Sequence, residues 1–123
     1  MGKLQVKRIY EAPAETDGGR FLVDRLWPRG IKKENAALTG WDKEIAPTNG
    51  LRRSFAHEPE RFPEFAVGYE QELEANPEAG PFVEKIKKAL AQGNVTLLYG
   101  AKDQEHNNAV VLKKWIEKEA VKK

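Results

Sequence analysis

The stretch Phe21-Leu22-Val23-Asp24-Arg25-Leu26-Trp27-Pro28-Arg29-Gly30 passes from apolar to charged within a few residues and closes on a proline and a glycine. An apolar run of strand length ended by such breakers predicts a core strand that delivers polar groups to the rim of a sheet. Extended backbone through Trp27 would put Phe21, Val23, Arg25 and Trp27 on one face and Leu22, Asp24 and Leu26 on the other. Asp24 and Arg25 would then point apart. Each would need a separate partner, because a buried unpaired charge costs about 3–5 kcal/mol. A second run, Val95-Thr96-Leu97-Leu98-Tyr99-Gly100-Ala101, is apolar with little alternation. That pattern suits a strand covered on both faces, as in a parallel sheet. It too ends in polar residues, Lys102, Asp103 and Gln104-Glu105-His106-Asn107-Asn108.

The remaining segments supply a first strand and the helices. Leu4 to Tyr10 alternates imperfectly and reads as a strand near an edge. The loop Glu11–Gly19 is too short for a helical crossover, leaving a hairpin-like return or an extended parallel crossover open. From Gly30 to Gly93 the pattern turns helical. Thr39-Gly40-Trp41-Asp42 has the form of a capping box, predicting a helix that packs Trp41 and Ile45 and stops at Pro47. Thr48-Asn49-Gly50 starts a short helix bearing Leu51 and Phe55. Pro59 opens a longer one with Phe62, Phe65, Ala66, Tyr69 and Leu73, stopped by Asn76-Pro77. Another carries Phe82, Val83, Ile86, Ala89 and Leu90 and ends at Gly93. Asp103 is a good N-cap for a final helix with the stripe Ala109, Leu112, Trp115 and Ile116, and Asn108 and Glu105 fall on or beside its buried face. The charged tail Lys118–Lys123 is expected to fray. Residues 1–123 thus read as a single α/β domain: a small, mainly parallel sheet of three or four strands covered by helices.

Composition excludes several chemistries. The chain has no cysteine, which removes disulfides, thiolate catalysis and cysteine-bound metals. A formal charge of +2 is too small to imply a nucleic-acid or membrane partner. With no long apolar stretch and no apolar signal region, a cytoplasmic protein is expected. Ser54 lacks a Gly-x-Ser-x-Gly setting, and neither His-Glu-x-x-His nor a phosphate-cradling glycine loop is present. A metal would have to use carboxylate, imidazole and amide ligands, such as Asp103 and His106 with Asp24, and in the absence of a metal motif no metal and no cofactor is expected. The lysines Lys113, Lys114, Lys118, Lys122 and Lys123 alternate with Glu117 and Glu119, the mark of a solvated helix face rather than a nucleic-acid surface.

Open parallel sheets bind ligands outside the carboxyl ends of their strands. If the two apolar strands are parallel neighbours, Asp24, Arg25, Trp27, Arg29, Lys102, Asp103, His106 and Asn107 converge there. Arg25 and Arg29 can grip an anion with their guanidinium forks, or serve as internal ion-pair partners. His106 can exchange protons with Asp24 or Asp103 orienting it, or simply bond backbone or carboxylate. Asp24 can equally anchor a turn or pair with Arg29. Trp27 walls the pocket or packs at the rim, whereas Trp41 and Trp115 sit in helical stripes and read as core. His57, beside Pro59, and Arg52 one turn before it are further candidates for an anion site.

The segments Leu22 to Gly30, Thr96 to Tyr99, Ala101-Lys102-Asp103 and His106-Asn107, with His57-Glu58-Pro59-Glu60-Arg61, resemble the YeaO-type branch of the bacterial proteins called domain-of-unknown-function family 488. The likeness spans about Val6 to Leu112. It implies an α/β fold with the two motif strands side by side, and no particular reaction. Longer members carry Cys-His-Arg in the second motif, similar to a thiol-phosphatase or rhodanese-like loop. This chain has Asn107-Asn108-Ala109 there, so a thiolate mechanism is unsupported. Two readings result: an enzyme acting on a small anionic substrate, or a non-catalytic binding or regulatory module using the same basic, aromatic cleft. Oligomeric state is not encoded in any motif.

Overall fold

A computed structural model describes residues 2–121. Four strands form one all-parallel sheet: β1 (Leu4–Arg8), β2 (Gly19–Leu22), β3 (Gly40–Trp41) and β4 (Val95–Tyr99), in the spatial order β1-β4-β2-β3. The apolar runs are therefore parallel neighbours, with Phe21 opposite Leu97 and Leu22 opposite Leu98. β1 lies at an edge, Val6 opposite Leu97, and is followed by a short crossover, with one turn of 3-10 helix at Glu15–Asp17, that leaves room for β4 between it and β2.

Five helices accompany the strands: α1 (Lys33–Ala36), α2 (Asn49–Phe55), α3 (Phe62–Ala75), α4 (Ala79–Gln92) and α5 (Asn108–Val121). Alternation along the strands divides the core in two. Phe21, Val23, Val95, Leu97 and Tyr99 face a large cluster built with Phe55, Phe65, Tyr69, Phe82, Ile86, Leu112, Trp115 and Ile116. Leu22, Leu98 and Ile9 face a smaller one with Ala36, Trp27, Ile31, Leu38 and Trp41. One face of the sheet thus carries the long helices, and the other is closed by α1 and the loop after β2. Toward the strands' amino ends this second face turns polar. There Asp17 and Arg20, each only 4% exposed, meet at 2.5 Å, and Lys7 Nζ reaches Asp17 at 2.9 Å.

Three local expectations are corrected. Thr39–Asp42 does not cap a helix: Gly40-Trp41 is the edge strand β3, paired with Phe21 and Leu22, and only one turn of 3-10 helix follows at Lys43–Ile45. The Thr39 hydroxyl accepts instead from the Arg20 backbone N–H at 3.0 Å, a cross-strand use that a local motif does not reveal. Regular pairing of β2 also ends earlier than Trp27. The last ladder bond runs from the Val23 N–H to the Leu98 carbonyl, and the side-chain alternation lapses beyond it. Trp27 consequently packs with Leu22 rather than Phe21, edge-on to Trp41 at 5.3 Å, with its Nε1–H donating to the Ile31 carbonyl. Third, Asp103 is not the N-cap of α5. It caps the preceding turn, accepting from the N–H groups of Glu105 and His106, while buried Asn107 caps the helix by accepting from the Val110 N–H at 3.0 Å. The stripe Ala109, Leu112, Trp115 and Ile116 is buried as expected, whereas Glu105 is exposed. Of the tail, α5 extends to Val121, and residues 122–123 lie outside the described range.

Candidate functional site

Beyond the carboxyl ends of β2 and β4 lies a cavity of about 580 Å³, a volume typical of small-molecule sites. Its floor is the end of β2, where Asp24 is clamped from two sides. Asp24 Oδ2 accepts from the Gly100 N–H at 2.8 Å, and Oδ1 accepts from Asn108 Nδ2 at 3.1 Å. The same Asn108 amide donates to the Val23 carbonyl at 3.0 Å, so the first residue of α5 is tied to the end of β2. Burial pushes the Asp24 carboxyl above its ordinary value. The Gly100 and Asn108 bonds, and the charges of Arg52 and His57, act in the opposite direction without cancelling it.

One wall comes from α2 and the turn after it. Thr48 caps this helix through its hydroxyl, and helical spacing lays Asn49, Arg52, Arg53 and Ala56 along the cavity. Arg52 Nη1 donates to Asn49 Oδ1 at 2.9 Å. The Arg53 side chain makes no hydrogen bond or ion pair among the described residues. The chain then turns on two consecutive left-handed residues, Ala56 (φ 50°) and His57 (φ 58°). Each costs about 1–2 kcal/mol in an L-residue, and strain of this kind concentrates at functional sites. It directs His57 to the cavity.

The turn before α5 supplies a further part of the lining. His106 Nδ1 is 2.8 Å from Asp103 Oδ2, and its ring meets Phe62 edge-on at 5.1 Å. The N–H groups of Glu105 and His106, with the His106 side chain, hold the Asp103 carboxyl below its ordinary range. With Nδ1 engaged by the carboxylate, Nε2 is the nitrogen left to meet a ligand. Phe55, Phe65, Leu26, Pro47 and Ala101 supply apolar lining, and Leu26 is 61% exposed.

Of the residues singled out from sequence, Asp24, Arg25, Arg52, His57, His106 and Asn107 line this one cavity, and Asp103 adjoins it through His106. Arg25 lines it with part of its fork committed: Nε donates to the Pro47 carbonyl at 3.2 Å and Nη2 to the Ala46 carbonyl at 3.0 Å. Asp24 and Arg25 both reach the cavity, contrary to the expectation that they point apart, because alternation has already lapsed. Trp27, Arg29 and Lys102 do not line it. Asp24 has no pairing with Arg29, whose carbonyl accepts from the Tyr10 hydroxyl. Asn49, Arg53 and Asn108 are the polar lining residues that sequence reasoning missed. The i, i+3, i+4 spacing of Asn49, Arg52 and Arg53 was a usable signal for the first two. Among the described residues, no three His, Asp or Glu side chains are arranged to hold a metal, and no helix is long and apolar enough to cross a membrane.

Comparison with known proteins gives a consistent result. Residues 3–123 match the family DUF488-N3i, described as the inactive DUF488-N3 subclade. The chain is 43% identical over 113 residues to the uncharacterized protein YeaO of Escherichia coli K12, covering 92% of this chain and 96% of that one. It is 36% identical over 110 residues to the uncharacterized protein Rv3073c of Mycobacterium tuberculosis H37Rv, covering 89% and 90%. No solved structure matches significantly.

Proposed function

The chain belongs to the DUF488-N3i family, and from that premise we propose that it is a non-catalytic module binding a small anionic molecule. The observation that supports this most is the α2 wall: Arg52, Arg53 and His57 present cationic or proton-donating groups along one side of a drug-sized cavity. Arg25 adds positive charge while bracing the Ala46–Pro47 backbone. The family's description as inactive, and asparagine where longer members have a thiol, favour binding over turnover.

Thermal-shift titration with inorganic phosphate, sulfate, nucleoside monophosphates and small carboxylates tests the proposal. An anion should raise the melting temperature, Arg52→Ala should abolish that rise, and the ligand should be recovered unchanged after long incubation. Stabilisation that is indifferent to Arg52→Ala would refute it.

One observation favours a second reading, acid–base catalysis at the same site. The Asp103–His106 contact at 2.8 Å has the geometry of an oriented general base. On that reading Asp103 orients His106, and Asp24 supplies a second carboxyl. A ligand chemically altered by the wild type and left intact by His106→Asn would establish it.

A further inference from the structure

Asp24 is not used by the anion-binding reading, yet it is the one carboxyl among the described residues that line the cavity. Its two oxygens accept one hydrogen bond each, from the Gly100 N–H and from Asn108 Nδ2. A carboxylate offers about four acceptor positions, so capacity remains. No cation lies in salt-bridge contact with it among the described residues. Arg52 and His57 act on it only through their charge. Arg25, its sequence neighbour, has Nε and Nη2 turned onto the Ala46 and Pro47 carbonyls. Positive charge from Arg52 and Arg53 and an uncompensated acceptor at Asp24 share one cavity with apolar lining from Phe55, Phe65 and Leu26.

We infer that the ligand is zwitterionic: an anionic group held by Arg52 and Arg53, and an ammonium or similar N–H donor held by Asp24. Such a molecule supplies the floor with the donor it lacks and the wall with the anion it lacks. A plain anion would satisfy only the wall and would meet Asp24 as a like charge or a poorly solvated acid. An apolar body between the two poles fits the phenylalanine and leucine lining. This inference rests on the anion-binding reading of the same cavity.

The test uses two probe pairs in which a methyl replaces the ammonium: O-phosphoethanolamine against propyl phosphate, and L-phenylalanine against 2-methyl-3-phenylpropanoate. Calorimetric titration of the full chain should show the amino member of at least one pair binding about tenfold tighter, the worth of one charge-assisted hydrogen bond. Asp24→Asn should erase that advantage by weakening the amino member, while the methyl member, relieved of a like charge, binds no more weakly than to the wild type. A carboxyl that merely braces Gly100 and Asn108 would move both members together. Equal binding of both members, with both lost in Arg52→Ala, overturns the zwitterion and leaves the anion reading standing. An advantage that persists in Asp24→Asn overturns it as well. Failure of all four probes to bind, or indifference to Arg52→Ala, overturns both. The wild-type comparison within each pair needs no variant to fold.

Discussion

Replacing Asp17 by asparagine should be among the costliest polar substitutions in this fold. The carboxylate is 4% exposed and holds Arg20 at 2.5 Å, Lys7 at 2.9 Å and the Ala14 N–H at 3.0 Å. Arg20 is buried to the same degree, and its remaining bonds go to the carbonyls of Ala36 and Ala37, which carry no charge. Asp17→Asn therefore strands a guanidinium without a counter-ion, and breaking a buried pair from one side costs about 3–5 kcal/mol. Lys7, 17% exposed, regains part of its hydration and adds little. For a domain of this size the loss lowers the melting temperature by on the order of 10 °C. Its pH dependence has a definite sign. Burial alone would raise the Asp17 pKa, but the bonds from Lys7, the Ala14 N–H and Arg20 outweigh it, so the folded value lies below the ordinary 3.8. The stabilisation is fully present above 3.8 and is lost as pH falls through the lower folded value. Urea titrations of wild type and variant should show a constant gap near neutrality that closes in strong acid. A gap under about 1 kcal/mol at neutral pH, or one that persists unchanged in acid, would refute the assignment of a desolvated ion pair.

Other substitutions probe the remaining joints. Asn107→Ala removes the α5 cap and the bond to the Asp103 carbonyl, and chemical denaturation should register a loss of about 1–2 kcal/mol. Tyr69→Phe deletes a buried 2.6 Å hydrogen bond to the Ile45 carbonyl and should cost about 1–3 kcal/mol by the same assay, because it leaves an acceptor unmet. Leu98→Ala, at a fully buried position of the central strand, should cost about 2–5 kcal/mol. The folded-state pKa of Asp24 is raised, so its contribution is present in acid and is lost as pH rises from 3.8 through the raised value. Asp24→Asn should consequently gain on wild type in melting temperature between acid and neutral pH, and a difference that is flat with pH would contradict the assignment.

The pairing of β2 with β4 was legible because both segments are apolar for strand length and then turn abruptly polar, a pattern imposed by burial. The long helices followed from periodicity around Phe65, Tyr69 and Leu73, and around Phe82, Val83 and Ile86. What escaped depends on partners distant in sequence. Thr39 reads as a cap until the Arg20 N–H, 19 residues away, claims its hydroxyl. Arg25 reads as an anion grip until the turn at Ala46–Pro47 takes part of its fork. Asp103 and Asn107 both have cap chemistry, and only the backbone path decides which one opens the helix. At the cavity, the contributions of the two motif strands were visible from Asp24, His106 and Asn107. The α2 wall was seen only in part, through Arg52 and His57, although the i, i+3 and i+4 spacing of Asn49, Arg52 and Arg53 already puts these three on one flank of that helix.

The spatial order β1-β4-β2-β3 also governs when the protein can exist as a folded object. β1 and β2 are consecutive strands in the chain but are not paired with each other; the strand that joins them begins at Val95. A nascent chain emerging from the ribosome therefore carries β1 without a mate, and β2 with only the two-residue β3 beside it, until Val95–Tyr99 is synthesised. Folding should be slow for the domain's length. A fragment ending before Val95 should remain a collapsed chain that lacks the strand joining β1 to β2, a natural client for holding chaperones.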